Sequence, residues 1–162
     1  VNLSERHLNS NPVTSDEAMR LEAEVREAIM HQCAYMPNQT PLLAGVGGTV
    51  TVLALLDREM TNYEPNLIEG WAIERSRLDA LIDRVLVSSL DERRAWPAMG
   101  VGRADILPAG ALVVKQLAER FPSSGLVCST QGLRYGLAHL AAREAEAEEQ
   151  GAPGAAPPEV TR

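Results

Sequence analysis

Two periodicities alternate along this chain. Val1, Leu3 and Glu5 alternate with Asn2, Ser4 and Arg6, which predicts a short strand over 1–8 that ends before the turn residues Asn9-Ser10-Asn11-Pro12. A helical period follows. Thr14-Ser15-Asp16-Glu17 reads as a capping box, and Ala18, Leu21, Val25, Ala28, Ile29 and Met36 recur at helix spacing up to about Tyr35, with Pro37 as the stop. Leu42, Leu43, Ala44 and Val46 then form an apolar run that predicts a buried strand. Gly45, Gly47 and Gly48 make a turn, and Thr49 is placed to cap the helix that runs on through Leu56.

Beyond a polar loop at 61–66, Leu67 to Ile73 reads as a short extended segment around Gly70. Leu78, Leu81, Ile82, Val85 and Leu86 predict an amphipathic helix, and Ser89-Leu90-Asp91-Glu92 is a second capping box, opening a short helix ended by Trp96-Pro97. A third long helix spans 103–121, with Ile106, Leu107, Gly110, Val113, Val114, Leu117 and Phe121 inward. Pro108 belongs in its first turn, with Asp105 as cap and Ile106 the first helical residue. Gly110 marks a close crossing with a neighbour. Gly125 to Ser129 predicts a last buried strand, and 131–146 a last helix using Leu133, Leu137, Leu140 and Ala141. The Gly/Ala/Pro-rich 150–162 reads as disordered. Alternation of strands and helices argues for an α/β fold, a mixed or parallel sheet flanked by helices.

Composition narrows the possible roles. The chain has 162 residues and a net charge of −7, of which 141–162 contribute −3. That is no footprint for nucleic acid or an anionic membrane. No apolar run approaches the roughly 18 residues of a membrane span, and no signal segment opens the chain, so a cytoplasmic location is expected. Cys33 and Cys128, the two cysteines, suit reduced thiols, and Lys115 is the single lysine. Val1 opens directly into a predicted element with no polar linker, which suggests the C-terminal part of a longer protein.

Candidate chemistry concentrates at Gly45-Val46-Gly47-Gly48-Thr49. First-turn amides of a helix are a ready site for phosphate, whereas a tight β-α turn whose glycines only permit packing fits the same residues. The loop lacks the Gly-Lys-Ser/Thr of a P-loop and the third glycine of the dinucleotide fingerprint. His7, His31 and His139 are scattered, and His31 and Cys33 stand about 200° apart on a helix, wrong for one metal. There is no Gly-x-Ser-x-Gly elbow.

Four segments in order, LSERHL at 3–8, AGVGGTVTVLA at 44–54, RADILPAGALVV at 103–114 and STQGLRYG at 129–136, resemble the C-terminal half of the exopolyphosphatase/guanosine pentaphosphate phosphohydrolase family. The resemblance covers about 1–141, with 142–162 as helix end and tail. It implies a ribonuclease-H-like lobe of the actin-like, sugar-kinase-like ATPase superfold. It also implies that Gly45, Gly47, Gly48 and Thr49 face phosphates across an interlobe cleft, and that Arg103 approaches the phosphate chain. A helix-start arginine paired with Asp105 or Glu92 is the other reading of Arg103. Ser129 and Arg134 match the family's terminal pattern, while Tyr135 stands where an acid is usual and Glu69-Gly70 where His-Gly is usual.

The family's first phosphate loop, Asp-x-Gly-Gly-Gly-Ser loop and catalytic glutamate do not occur in this sequence. The resemblance therefore implies no catalytic residue here, Mg²⁺ for the full enzyme without ligands from this chain, and an inactive chain in isolation. Expected partners are the N-terminal lobe and polyphosphate or guanosine pentaphosphate, with a homodimer as a further option. Two other readings are a kinase lobe of the same superfold and a non-catalytic regulatory domain. Fold analogy alone does not choose among them.

Overall fold

The computed structural model describes residues 2–33, 43–97, 99–100 and 102–149. Residues 1–130 and 131–162 form separate units. The first unit opens with helix α1 (Asn2–His7), where a strand was expected. Leu3, Ser4, His7 and Leu8 turn inward while Glu5 and Arg6 are exposed, a helical stripe that the alternation of so short a segment conceals. An ion pair and a hydrogen bond to the next helix secure it: Arg6 Nη1 lies 2.8 Å from Glu24 Oε1, and His7 Nε2 lies 2.6 Å from Glu24 Oε2.

Helix α2 (Ser15–Gln32) starts at the expected capping box, with the Thr14 hydroxyl accepting from the Glu17 amide. Leu21, Val25 and Ile29 are buried and Ala28 is exposed. The Tyr35, Met36 and Pro37 end of that expectation, Leu42 and the 150–162 tail lie outside the described residues.

Strand β1 (Leu43–Val46) is followed at once by α3 (Gly48–Asp57). The strand is half-exposed, not buried: Ala44 and Val46 face outward, Val46 with 54% exposure. Helix α3 is buried from Val50 to Asp57. A short α4 (Pro65–Ile68) and β2 (Ala72–Glu74) occupy the stretch expected to be extended, with proline fixing the first turn of α4. Next come α5 (Arg75–Val87), α6 (Leu90–Arg94) with its capping box on Ser89, α7 (Leu107–Arg120) and β3 (Gly125–Ser129).

Helix α7 begins one residue later than expected. Its cap is Ile106, which has no side-chain cap bond, and Asp105 instead accepts from the Ile106 amide at 3.0 Å. Asp105 stands one residue ahead of the cap position, and Pro108 at the second helical position has no amide to donate.

The sheet is mixed, in the order β1-β3-β2, with β3 parallel to β1 and antiparallel to β2. Leu53, Ile73, Leu78, Ile82, Leu107, Leu126 and Cys128 share the main core. Helix α7 is buried on two sides, because Ala109 and Leu112 join Leu21, Val25 and Ile29 of α2 in a second cluster. Gly110 is the close crossing anticipated: a Cβ there would lie 2.2 Å from Thr49 Oγ1 of α3.

In the second unit, α8 (Leu133–Glu149) leaves Leu133, Leu137 and Leu140 more than half exposed, so the expected inward stripe is not inward. Leu133 and Leu137 are four residues apart and Leu140 three further, so the helical spacing is right while burial needs a second surface that spacing alone does not supply.

Candidate functional site

The carboxyl ends of β1 and β3 lie side by side, with Val46 opposite Ser129. In open α/β sheets this is the edge where ligands gather. Gly47 leaves β1 with φ +99°, a left-handed backbone that an L side chain strains, and serves as the cap of α3 with no side-chain cap bond. Thr49 is therefore not the cap. It lies inside the first turn, where its hydroxyl meets Gly110. The first ladder bond of α3 runs from the Thr51 amide to the Gly47 carbonyl at 3.0 Å, so the amides of Gly48, Thr49 and Val50 have no carbonyl partner within the helix. Together with the helix dipole they favour an anion outside Gly48.

Arg103 stands at that end. A Cβ built on Gly48 would lie 3.3 Å from Arg103 Cζ and 3.4 Å from its Nε, so the guanidinium occupies the space that the missing side chain leaves. Arg103 is exposed and lies four residues before α7, not on it. The Glu92 carboxylate accepts from the Ser89 amide at 2.6 Å and its hydroxyl at 2.8 Å, Asp105 Oδ1 accepts from the Ile106 amide, and among the described residues no ion pair joins either carboxylate to Arg103.

Gly45 has a different part. A Cβ there would meet Val50 Cγ2 at 2.7 Å and Leu126 Cδ1 at 3.1 Å, so its bare backbone lets α3 fold back against the sheet. Gly47, Gly48, Thr49 and Arg103 thus share one end of α3, and Gly45 supports them from behind.

Two further groups shape this edge, and the sequence marked only one of them. Buried Arg93 donates from Nε to the Ala104 carbonyl at 2.7 Å and from Nη1 to the Ser88 carbonyl, which ties the segment carrying Arg103 to the end of α6. Burial lowers its pKa, and the charges of Asp105 and Glu92 oppose that shift. Glu69 crosses the end of β3: its Oε1 accepts from the Ser129 hydroxyl at 2.9 Å, and its Oε2 from the Thr130 amide at 2.5 Å and hydroxyl at 2.6 Å. The thiol of Cys128, buried one residue earlier, is pushed up first by burial and then by the Glu69 charge. An arginine just after a capping box is ordinarily solvated, so nothing in the spacing singled out Arg93. The Glu69-Gly70 departure was the one sign at the other position.

Among the described residues, no three His, Cys, Asp or Glu side chains converge to hold a metal, and no helix is long and apolar enough to cross a membrane. Fold and edge together define an α/β lobe of the actin-like ATPase superfold, with a mixed sheet flanked by helices, whose strand ends present a glycine turn and an arginine. The chain belongs to the Ppx/GppA phosphatase family, whose model matches residues 1–143. It is 32% identical over 119 residues to Exopolyphosphatase 2 of Mycobacterium tuberculosis, a match covering 73% of this chain and 37% of that protein.

Among solved structures it resembles an exopolyphosphatase-like protein with TM-score 0.83 and 25% identity, over 88% of this chain and 48% of the other. The Aquifex aeolicus PPX-GPPA enzyme is similar with TM-score 0.77 and 25% identity, over 85% and 45%. The chain therefore spans less than half the length of these relatives.

Proposed function

We propose that this chain forms one wall of an interlobe site in a hydrolase that releases terminal phosphate from inorganic polyphosphate or guanosine pentaphosphate. One observation carries the reading: the Arg103 guanidinium packs over Gly48 at the open amide end of α3. Open amides and an arginine at the same helix end suit a phosphate group, whose charge grows on the leaving oxygen as the anhydride breaks. Gly47, Gly48, Thr49 and Arg103 position the phosphates, and Gly45 keeps the turn seated. The other wall, with the carboxylate that activates water, comes from the N-terminal lobe of a polypeptide of the relatives' length. Mg²⁺ would neutralise phosphate charge in that whole enzyme. Among the described residues, no group of three or more His, Cys, Asp or Glu side chains converges to hold it.

Phosphate release from long-chain polyphosphate with Mg²⁺ tests this. The 162-residue chain alone should release none above background, and turnover by it would overturn the divided site. In the relative-length polypeptide, Arg103→Ala should lower the rate by about 100-fold, the usual effect of one lost charge-stabilising donor, with melting temperature unchanged. Equal loss of rate and stability would assign Arg103 to packing.

A further inference from the structure

The end of β3 carries an arrangement that the family reading does not use. Three donors converge there: the Ser129 hydroxyl, the Thr130 amide and the Thr130 hydroxyl, all bonded to the Glu69 carboxylate at 2.5–2.9 Å. Glu69 reaches them from the β2 side, because the Gly70 amide donates to the Cys128 carbonyl at 2.9 Å and the Cys128 amide to Trp71 at 2.8 Å. On the opposite side of β3, Val46 is the register partner of Ser129, and Gly47 follows it. Adjacent strands lie about 4.8 Å apart, so the three-donor bite is one strand away from the glycine turn. A carboxylate and a phosphate take the same kind of donor.

We propose that the Glu69 carboxylate is a built-in anion that fills a further phosphate subsite at the end of β3, and so limits how many linked phosphates this edge accommodates. The inference rests on the reading of the Gly47–Gly48 turn as a phosphate site. With Glu69 in place, a polyanion is confined to the Arg103 side and repelled from the β3 side. Without it, the Ser129 and Thr130 donors can take the next phosphate of a chain already seated at Gly48. Glu69 is thus a specificity-determining residue for phosphate number, because it sets a negative charge at this edge.

Inorganic tripolyphosphate is the probe, titrated into the 162-residue chain while the backbone amides of Gly47, Gly48 and Thr130 are followed by NMR. In the wild type, Gly47 and Gly48 should respond and Thr130 should not. Glu69→Ala should bring Thr130 into the response and tighten binding by about fivefold at low salt, the effect of one like charge removed at short range in water. Orthophosphate, too short to span both positions, should bind the two proteins alike. A folded Glu69→Ala protein with a silent Thr130 or unchanged affinity overturns the inference and leaves the glycine-turn reading standing. Should that variant lose its fold, Glu69→Gln decides: it keeps the side-chain length and loses the charge, and failure to tighten binding at low salt overturns the inference. Absence of any response at Gly47 and Gly48 in every protein overturns both.

Discussion

Single atoms decide much of this edge. Gly125 lies where β3 meets β2, and a Cβ there would sit 2.0 Å from the Ile73 carbonyl oxygen. Backbone cannot swing aside as the tip of a side chain can. Gly125→Ala should therefore cost about 3 kcal/mol or more, at the upper end of overpacking penalties, and chemical denaturation against the wild type measures it. An unchanged midpoint would show that β2 can leave β3 without loss. The sequence marks this glycine only as a strand start, since its obstruction comes from a residue 52 positions earlier. Gly110 was legible by contrast, because a glycine on the inward stripe of a helix has few reasons to be there other than close crossing. Arg103 falls between the two. Its residue type was readable, whereas its seat over Gly48 depends on a fold-back that the chain makes through α5 and α6.

Local rules had most force at the level of elements. Both capping boxes are present because a hydroxyl and a glutamate three residues apart satisfy each other within one turn. The first box carries more than its helix. Glu17 accepts from the Thr14 amide at 3.0 Å and, with its other oxygen, from the amides of Asn9 at 2.8 Å and Ser10 at 2.9 Å, so it also pins the link from α1. The Thr14 amide is the largest influence lowering its pKa to about 2; burial opposes it, and the Asn9 amide and the Thr14 and Ser10 bonds add to the lowering. A depressed carboxylate contributes its full stability above the unfolded value, 4.5, and loses it as pH falls through about 2. Thermal melts from pH 6 down to pH 2 should thus show a falling melting temperature below about 4.5, flatter in Glu17→Gln, which should also melt lower at pH 7. Parallel curves for the two proteins would remove Glu17 from the acid transition. Where partners are distant, local rules lose their hold: the six residues of α1 show either period, and apolar content does not reveal that β1 lies at a sheet margin.

At the scale of the whole molecule, order in the sheet differs from order in the chain. β3 is last in sequence and central in space, flanked by β1 and β2, each of which pairs with it. A chain ended at residue 124 keeps α1 to α7 and both outer strands but loses the partner they share. It should show no cooperative melt, and a transition matching that of the 162-residue protein would mean that the helices alone hold the core. Such dependence on a remote segment is invisible to periodicity, which reads each strand by its own residues. It also has a consequence in time. During synthesis α3, buried from Val50 to Asp57 in the finished fold, emerges some seventy residues ahead of the strand that completes its shelter. Throughout that interval the nascent chain exposes one of its most apolar stretches, so a stalled or slowed ribosome leaves an aggregation-prone intermediate rather than a half-folded lobe.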